Sequence, residues 1–565
     1  MKHHKNPSRS ASDPVARVSA PKTSTPSWAK KLALAFIMPL VLFGALEGIL
    51  RLTGFQHQPR EKTLWKPTIS GFVGTYEFYL PTEFAPPGYI WISQANTPFT
   101  DRFGFRRPEI PFEKPPGKIR VAFLGGSTTH GGYRPYPERA IRLINDAIGE
   151  NRYEMLNVAC SSYSTHQSVK ALERWALPRN PDIVFVYHGW NDMWVAGDGF
   201  ADQEKDALLS LTGESRLVMP GWLRAPRLTG LLGKLAEVAG GPWPRQRVAF
   251  DDFSANLETM ARQCAETGAR MFVMIRPKQR EQGFVTHPWD PNTLLYAQQT
   301  FQTTNAYELY RAQSEEIIAR QRAVAERHPH VQACDGNAEV LRILERSDAG
   351  EFGENVPIWY PDNCHLLDFA DEFLAQYVAL TIAPEHAEAI SNRIASLAYA
   401  IGMAEELLRE DAPREAAWYV ARARERNPDA TQSVYLDQLQ VQAEAYFEFA
   451  DLFRTGRWGG SDPDFESKIA KLKRCLEIRP GDYGVMLQIY RVCIYMNRLE
   501  EAAEAMAGFQ PQSAQHRLEW LSFMLESHLQ GQRWRPARRV AEELVQMQPQ
   551  HPLAREVLQQ IPGNI

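Results

Sequence analysis

VAFLGGSTTHGG, residues 121–132, joins a short apolar run to a pair of glycines and a serine. The four apolar residues predict a strand that is buried on both faces of a sheet. The glycines let the backbone turn sharply because they carry no Cβ atom. The turn presents Ser127 at the carboxyl end of the strand, where doubly wound α/β sheets form their sites.

Similar apolar runs recur along the chain and alternate with helical patterns. The strands are predicted in KIRVAFLGG, YEMLNVAC, PDIVFVYHG and RMFVMIRP, with helices at 134–150, 166–177 and 252–267. This alternation is typical of a three-layer α/β/α, flavodoxin-like domain with a parallel sheet, here predicted at 118–387. Two segments without clear strands, at about 193–250 and 278–349, are predicted to be insertions near the site.

The beginning of the chain favours a membrane anchor. Residues 1–31 carry seven Lys or Arg and one acid, and they predict a disordered basic arm. Residues 32–50, nearly free of charge, are long enough to form a transmembrane helix. The basic flank predicts a cytoplasmic N-terminus and a periplasmic or extracytoplasmic catalytic domain in a single-pass protein. A cleaved signal peptide and a buried soluble helix are the alternatives, and 53–117 is predicted to be an extended lead-in.

The last part of the chain, 388–565, is predicted to be all helical. Small and apolar residues recur at helical spacing, and units end near Pro428, Pro480, Pro511 and Pro549. The pattern resembles degenerate tetratricopeptide repeats and predicts an α-solenoid. An unrelated helical bundle is the alternative.

Composition excludes several classes of protein. A net charge of −4 gives no electrostatic reason to expect a nucleic-acid partner. The six cysteines form no C-x-x-C pair, so neither a zinc site nor a disulfide scaffold is expected. No metal and no cofactor are predicted.

Two further motifs carry groups that suit acyl chemistry. Asn191, in the G-W-N-D block after a predicted strand, can donate its amide to an oxyanion that forms at an ester carbonyl. Asp362 lies three residues before His365, a spacing that lets the carboxylate hold the imidazole in the tautomer that accepts a proton from a serine. Together with Ser127 they make a nucleophile, a base and its orienting group.

The order of these blocks, G-G-S-T-T, N-x-x-x-x-S-Y, G-x-N-D and D-x-x-H, resembles the SGNH (GDSL-like) hydrolase and acyltransferase superfamily. The resemblance implies Ser127 as nucleophile, His365 as base and Asp362 as its partner. It also implies an oxyanion hole made by the backbone N–H of Ser127, Ser162 and Asn191, with Gly126, Gly189 and Asp192 in support. In relatives the position of Ser162 is a glycine, so a left-handed conformation there would strain the serine. Gly126 replaces the usual aspartate.

Other interpretations of the same residues are structural. The glycine-rich turn could hold a phosphate, although no lysine follows as in a P-loop. His130, His166 and His188 compete with His365 as the base, and they are expected to be structural or to face substrate. Cys160 and Cys364 are expected to be free buried thiols, with a disulfide between them as the alternative.

These observations predict a membrane-anchored serine esterase that cleaves acyl esters, with acetyl as the expected group, on a carbohydrate or cell-envelope glycan. An O-acyltransferase that modifies an exported polysaccharide is the alternative, and a second is an envelope assembly scaffold that binds a protein partner through the helical repeats. If His365 is the base, activity is expected to rise with pH through about 6–7.

Overall fold

The architecture comes from a computed structural model of the 565-residue chain. It describes residues 38, 41–42, 44–53, 68–69, 76–77, 90–93, 99–131, 134–196, 201–206, 246–284, 298, 300–353, 356, 358–359, 362–410, 412–457, 462, 464–496, 498, 501, 504–505, 514–530, 533–549 and 551–560. The chain forms two compact units, one of residues 1–61 and 218–241 and the other of residues 62–217 and 242–565.

In the first unit, residues 44–52 are helical and Glu47 pairs with Arg51 at 2.7 Å. Much of the predicted transmembrane segment at 32–50 and all of the predicted basic arm at 1–31 lie outside the described residues. Among the residues that are described, no helix has both the length and the apolar character that a membrane span requires.

The second unit contains a five-stranded parallel sheet. Its strands are preceded by a two-residue antiparallel pair, β1 (Thr68–Ile69) and β2 (Tyr76–Glu77). The sheet strands are β3 (Ile119–Gly125), β4 (Tyr153–Asn157), β5 (Ile183–Tyr187), β6 (Arg270–Met274) and β7 (Val331–Cys334). Their order is β4-β3-β5-β6-β7, so the chain reverses its direction of travel across the sheet between β3 and β5. Ligand sites of doubly wound sheets form at this switch point.

Helices cover both faces of the sheet. They are α1 (Ser127–His130), α2 (Tyr136–Ile148), α3 (Thr165–Ala171), α4 (Trp190–Met193), α5 (Phe250–Thr267), α6 (Ala306–Arg327), α7 (Gly336–Asp348) and α8 (Asp368–Ile382). Side chains alternate along β3, so Phe123 packs with α2, α7 and α8, whereas Leu124 packs with α5 and α6 on the opposite face. The predicted α/β class and parallel sheet are confirmed.

Strand β7 departs from the sequence prediction. It lies inside 278–349, which was expected to be an insertion without strands, and it forms a regular edge of the sheet together with α6 and α7. Its sequence, Val-Gln-Ala-Cys, buries its two end residues and exposes Gln332 and Ala333. A four-residue edge strand of this kind lacks the continuous apolar run that marks a central strand.

The C-terminal region is helical, as predicted. Its helices are α9 (Ala387–Ile394), α10 (Leu397–Arg409), α11 (Pro413–Arg424), α12 (Ala430–Ala445), α13 (Phe447–Gly456), α14 (Phe465–Ile478), α15 (Tyr483–Tyr495), α16 (Ala514–Gln530), α17 (Trp534–Met547) and α18 (Pro552–Gln560). Their assignment to tetratricopeptide-like repeats stays a prediction.

The first of these helices share one core with the sheet domain. Leu407 of α10, Tyr419 of α11 and Leu436 of α12 are buried in the same apolar cluster as Phe123 and α2. Helices α13–α15 and α16–α18 have separate clusters of their own. The catalytic domain predicted to end at 387 is therefore continuous in packing with helices that extend to residue 445.

A buried ionic network joins the same parts. Arg139 of α2, only 1% exposed, lies 3.3 Å from Glu372 of α8, 3.3 Å from Glu406 of α10 and 2.9 Å from Glu410. Around it a cleft of about 310 Å³ is lined by residues of α2 and α10. Removing the acidic partners would leave a buried guanidinium without compensation, which is strongly destabilising.

Two truncations test this continuity. A chain that ends after residue 386 exposes the aromatic side chains of α8 that pack on Trp418, and each lost burial costs about 1.5–3 kcal/mol. Other side chains of the shared core lose their packing on α9–α12 as well, and together these losses reach the stability of a typical domain, about 5–15 kcal/mol. We therefore expect this chain to be unfolded or insoluble. A chain that ends after residue 445 keeps the shared core and should unfold cooperatively. Circular dichroism melting measures both, and equal loss of folding in the two chains would contradict the shared core.

Candidate active site

Ser127 lies at the first position of α1, two residues after strand β3 ends at Gly125. A Cβ atom at Gly125 would lie 2.1 Å from Thr129 Oγ1 and 2.9 Å from the carbonyl oxygen of Tyr187. No other amino acid fits this turn without displacing the neighbouring strand end. The glycine therefore brings Ser127 to the edge of the sheet directly after the strand.

His365 and Asp362 lie in the loop before α8 and meet Ser127 there. The Nε2 atom of His365 is 2.8 Å from Ser127 Oγ, and its Nδ1 atom is 2.7 Å from Asp362 Oδ2. Asp362 Oδ1 accepts the backbone N–H groups of Cys364 at 2.9 Å and of His365 at 3.0 Å. The carboxylate thus holds both the loop and the imidazole, and it leaves Nε2 to face the serine.

The electrostatics of this pair differ from the prediction made for the free imidazole. Burial alone would lower the pKa of His365, but the adjacent Asp362 carboxylate outweighs it and holds that pKa well above 6.5. Burial would likewise raise the pKa of Asp362, whereas His365 and the two backbone N–H donors lower it. The expectation of about 6–7 took the imidazole as free and left out the Asp362 carboxylate, which raises the pKa of His365.

Asn191 follows strand β5 and lies beside the turn that carries Ser127. Its Nδ2 atom donates to the carbonyl oxygen of Tyr163 at 2.9 Å. A Cβ atom on Gly126 would lie 2.5 Å from that same Nδ2 atom, so the amide packs directly against the residue before Ser127. The second N–H of the amide remains for a further acceptor, since a carboxamide carries two donors.

Ser162 adopts the left-handed conformation, in which a serine is strained and a glycine is not. Its φ angle is 66°, in the region that favours glycine. It lies in the loop between β4 and α3, whose next residue, Tyr163, accepts the amide of Asn191. The backbone of this loop therefore lies at the same edge of the sheet as Asn191.

Asp192 and Gly189 support this arrangement from the end of β5. The buried carboxylate of Asp192 accepts the backbone N–H and the hydroxyl of Thr165 at 2.8 and 2.6 Å, and the N–H of Gly189 at 3.2 Å. Gly189 has a φ of 123°, and a Cβ atom there would lie 2.6 Å from Ile317. Asp192 thus ties the end of β5 to the beginning of α3.

The other histidines contact different partners. His130 Nε2 is 3.1 Å from Ser93 Oγ, and burial lowers its pKa to about 3. His166 lies 3.6 Å from Asp206. His188 Nε2 is 2.6 Å from Ser168 Oγ, and burial lowers its pKa to about 4. The pair of Ser168 and His188 resembles that of Ser127 and His365, but both side chains are buried.

The six cysteines are all buried and free, including Cys160 and Cys364. Burial raises the pKa of Cys160 to about 12, and burial also raises that of Cys364. Both are therefore neutral thiols at physiological pH, and neither is a nucleophile comparable to Ser127.

Two charged residues near the site were missed in the sequence. Arg276 is fully buried two residues beyond β6, with its guanidinium 4.0 Å from the ring centre of Trp190. Its position after a strand end could have marked it. Asp202, also fully buried, bonds to Ser164 at the start of α3, and it lies in a stretch with no pattern that would reveal it.

The comparisons with known proteins agree with the family resemblance for this part of the chain. The GDSL-like lipase/acylhydrolase family matches residues 123–366. The match covers less than half of the chain and supports a serine ester hydrolase domain in these residues. No curated protein matches the chain.

The solved structures that match the chain include the following three. An acetyl xylan esterase, AlAXEase, is 14% identical and is matched over 47% of this chain and 100% of its own, with a TM-score of 0.29. A putative GDSL-like lipase from Parabacteroides merdae is 12% identical over 50% and 100%, with a TM-score of 0.29. A lipase/acylhydrolase from Enterococcus faecalis is 14% identical over 47% and 96%, with a TM-score of 0.28.

The contact between Gly126 and Asn191 can be tested by a single methyl group. In Gly126→Ala the new Cβ atom would displace the Asn191 amide, so we expect kcat for an acyl ester to fall by about 10- to 100-fold, in the range of a weakened oxyanion donor. Gly402→Ala, on an exposed helical surface with nothing within 4 Å of the added atom, is the matched control. Equal kcat values for the two variants would contradict the assignment of Asn191 to this position.

Proposed function

We propose that the protein is a serine esterase in which Ser127 is the nucleophile, His365 the general base and Asp362 its orienting partner. The observation that carries the proposal is the continuous hydrogen-bonded chain from Ser127 Oγ to His365 Nε2 at 2.8 Å and from His365 Nδ1 to Asp362 at 2.7 Å. This is the arrangement of a nucleophile with an adjacent base and a third orienting group.

In the proposed reaction, His365 takes the proton of Ser127 as Oγ attacks the ester carbonyl carbon. The negative charge that develops on the carbonyl oxygen is stabilised by Asn191 Nδ2 and by the backbone N–H groups of Ser127 and Ser162. The imidazolium then gives its proton to the leaving alcohol as the carbon–oxygen bond breaks, which leaves an acyl-enzyme. A water molecule, deprotonated by His365, then attacks the acyl carbon. The bond from that carbon to Ser127 Oγ breaks, the imidazolium returns its proton to Oγ, and the free acid leaves.

For the substrate we propose an acyl ester, with acetyl as the acyl group, on a carbohydrate or cell-envelope glycan. The proposal follows the family resemblance together with the basic arm and apolar segment at the beginning of the chain, which favour an anchored, extracytoplasmic enzyme. An O-acyltransferase would share the first half-reaction and differ in the hydroxyl that accepts the acyl group. In the presence of added glycan, release of the acyl group only as free acid indicates hydrolysis, whereas acyl groups found on the glycan indicate transfer.

Labelling with a fluorophosphonate tests the assignment of the nucleophile. We expect a single adduct on Ser127, detected by peptide mass spectrometry, because His365 activates that hydroxyl. Ser127→Ala should lose the adduct and at least about a thousandfold in kcat. The matched control is Ser168→Ala, which removes the buried serine paired with His188 and should keep the label. An adduct that persists in Ser127→Ala would refute the proposed nucleophile.

The raised pKa of His365 predicts the position of the acidic limb of the pH profile. The base must be neutral to accept a proton, so a raised pKa keeps the inactive imidazolium form to higher pH. We expect kcat/KM for a neutral ester to rise with a midpoint above about pH 6.5. In Asp362→Asn the midpoint should move to lower pH and the plateau should fall. A wild-type midpoint below that of Asp362→Asn would contradict the role of the carboxylate.

A further inference from the structure

The loop between β4 and α3 influences two of the proposed oxyanion donors. Ser162 belongs to it, and Tyr163 next in the chain accepts the amide of Asn191 at 2.9 Å. Ser162 has a φ of 66°, which is unfavourable for a residue with a Cβ atom. Such a conformation persists only when surrounding contacts impose it.

Asp202 is the centre of a buried polar cluster directly behind the loop. Its carboxylate is fully buried and lies 2.8 Å from Arg247 Nη2 and 3.4 Å from Lys205 Nζ. The same carboxylate accepts the hydroxyl of Ser164 at 2.8 Å and the side-chain amide of Gln167 at 3.3 Å. Two cations therefore keep Asp202 ionised, and two of its contacts are with the beginning of α3.

The contact with Ser164 lies two residues beyond the left-handed Ser162. Ser164 is the N-cap of α3, and its backbone N–H donates to the Gln167 side chain at 2.9 Å. Asp202 therefore binds both members of this capping box. Fixing Ser164 restricts the backbone that precedes it, including Tyr163, whose carbonyl orients Asn191.

The cluster is also bound to the end of β5. The N–H of Asp202 donates to Arg247 O at 2.8 Å, and the N–H of Arg247 donates to Trp194 O at 2.7 Å. Next to Arg247, the N–H of Val248 donates to Asp192 O at 3.2 Å. The ion pair thus connects the loop that contains Ser162 to the strand end that carries Asn191.

We propose that Asp202 is a positioning residue that holds Ser162 in its left-handed conformation and, through Tyr163, fixes the amide of Asn191. The inference rests on the proposed function, since it concerns the donors that would stabilise the oxyanion. Asp202 acts through Ser164 and does not itself touch the reacting atoms. A donor displaced from the oxyanion lowers kcat more than KM, because it acts mainly in the transition state.

The test begins with Ser164→Ala, which removes the hydroxyl that Asp202 and the N–H of His166 bind. It leaves the contacts of Asp202 with Gln167 and Arg247 intact. We expect kcat for a soluble acyl ester to fall at least about tenfold, with KM changed less than about twofold. Folded Asp202→Asn protein should show the same fall in kcat with the same small change in KM. The matched control is Asp206→Asn, which removes a carboxylate that pairs with Lys170 on the same helix and should keep kcat.

The decisive measurement is rescue by glycine at the strained position. In the double variant Ser162→Gly and Ser164→Ala, glycine adopts the left-handed conformation without the link, so at least half of the lost kcat on a logarithmic scale should return. No recovery, or a kcat in Ser164→Ala within twofold of the wild type, would overturn this inference and leave the proposed function unaffected. Wild-type protein that neither releases acid nor forms an adduct at Ser127 would overturn the proposed function as well.

Discussion

The candidate site depends on the parallel register of two neighbouring strands. Gly125, the last residue of β3, is paired with Tyr187, the last residue of β5. Because both strands end at the same level, the turn with Ser127 and the turn with Asn191 leave the sheet side by side at its topological switch point. The loop before α8 brings His365 to the same edge, although it lies 238 residues from Ser127 along the chain. A shift of register by one residue would separate these groups and reverse the buried faces of the strand.

The same edge of the sheet combines strain with buried charge. A non-glycine residue in the left-handed region costs about 1–2 kcal/mol, and Ser162 occupies it. Two fully buried carboxylates, Asp192 and Asp202, hold the beginning of α3 directly after this loop, and each has several hydrogen-bond donors. Buried charges of this kind contribute little net stability, but removing a partner is costly. Their effect is to impose one conformation on a loop that would otherwise relax.

The first helices of the C-terminal region belong to the same apolar core as one face of the sheet. Helix α2 packs on α8 and α9, and the ionic contacts of Arg139 reach Glu406 and Glu410 in the helical region. Helices α10–α12 consequently complete the core on this face, whereas α13–α18 form clusters independent of it. The more distal helices therefore contribute no buried side chains to the core of the sheet domain among the described residues.

The sequence by itself determined the features that depend on the pattern of neighbouring residues along the chain. Four apolar runs marked four of the five strands of the parallel sheet. Polar residues at the predicted ends of strands and helices marked the site, and the structure brings several of them together, among them Ser127, His365 and Asn191. Only the tertiary structure decided the features that arise between distant segments. The edge strand β7 exposes half of its residues, the raised pKa of His365 depends on the geometry of its loop, and Asp202 gains its role from Ser164 and Arg247. Periodicity and spacing report which residues a segment buries, whereas these contacts depend on where folding places other segments beside it.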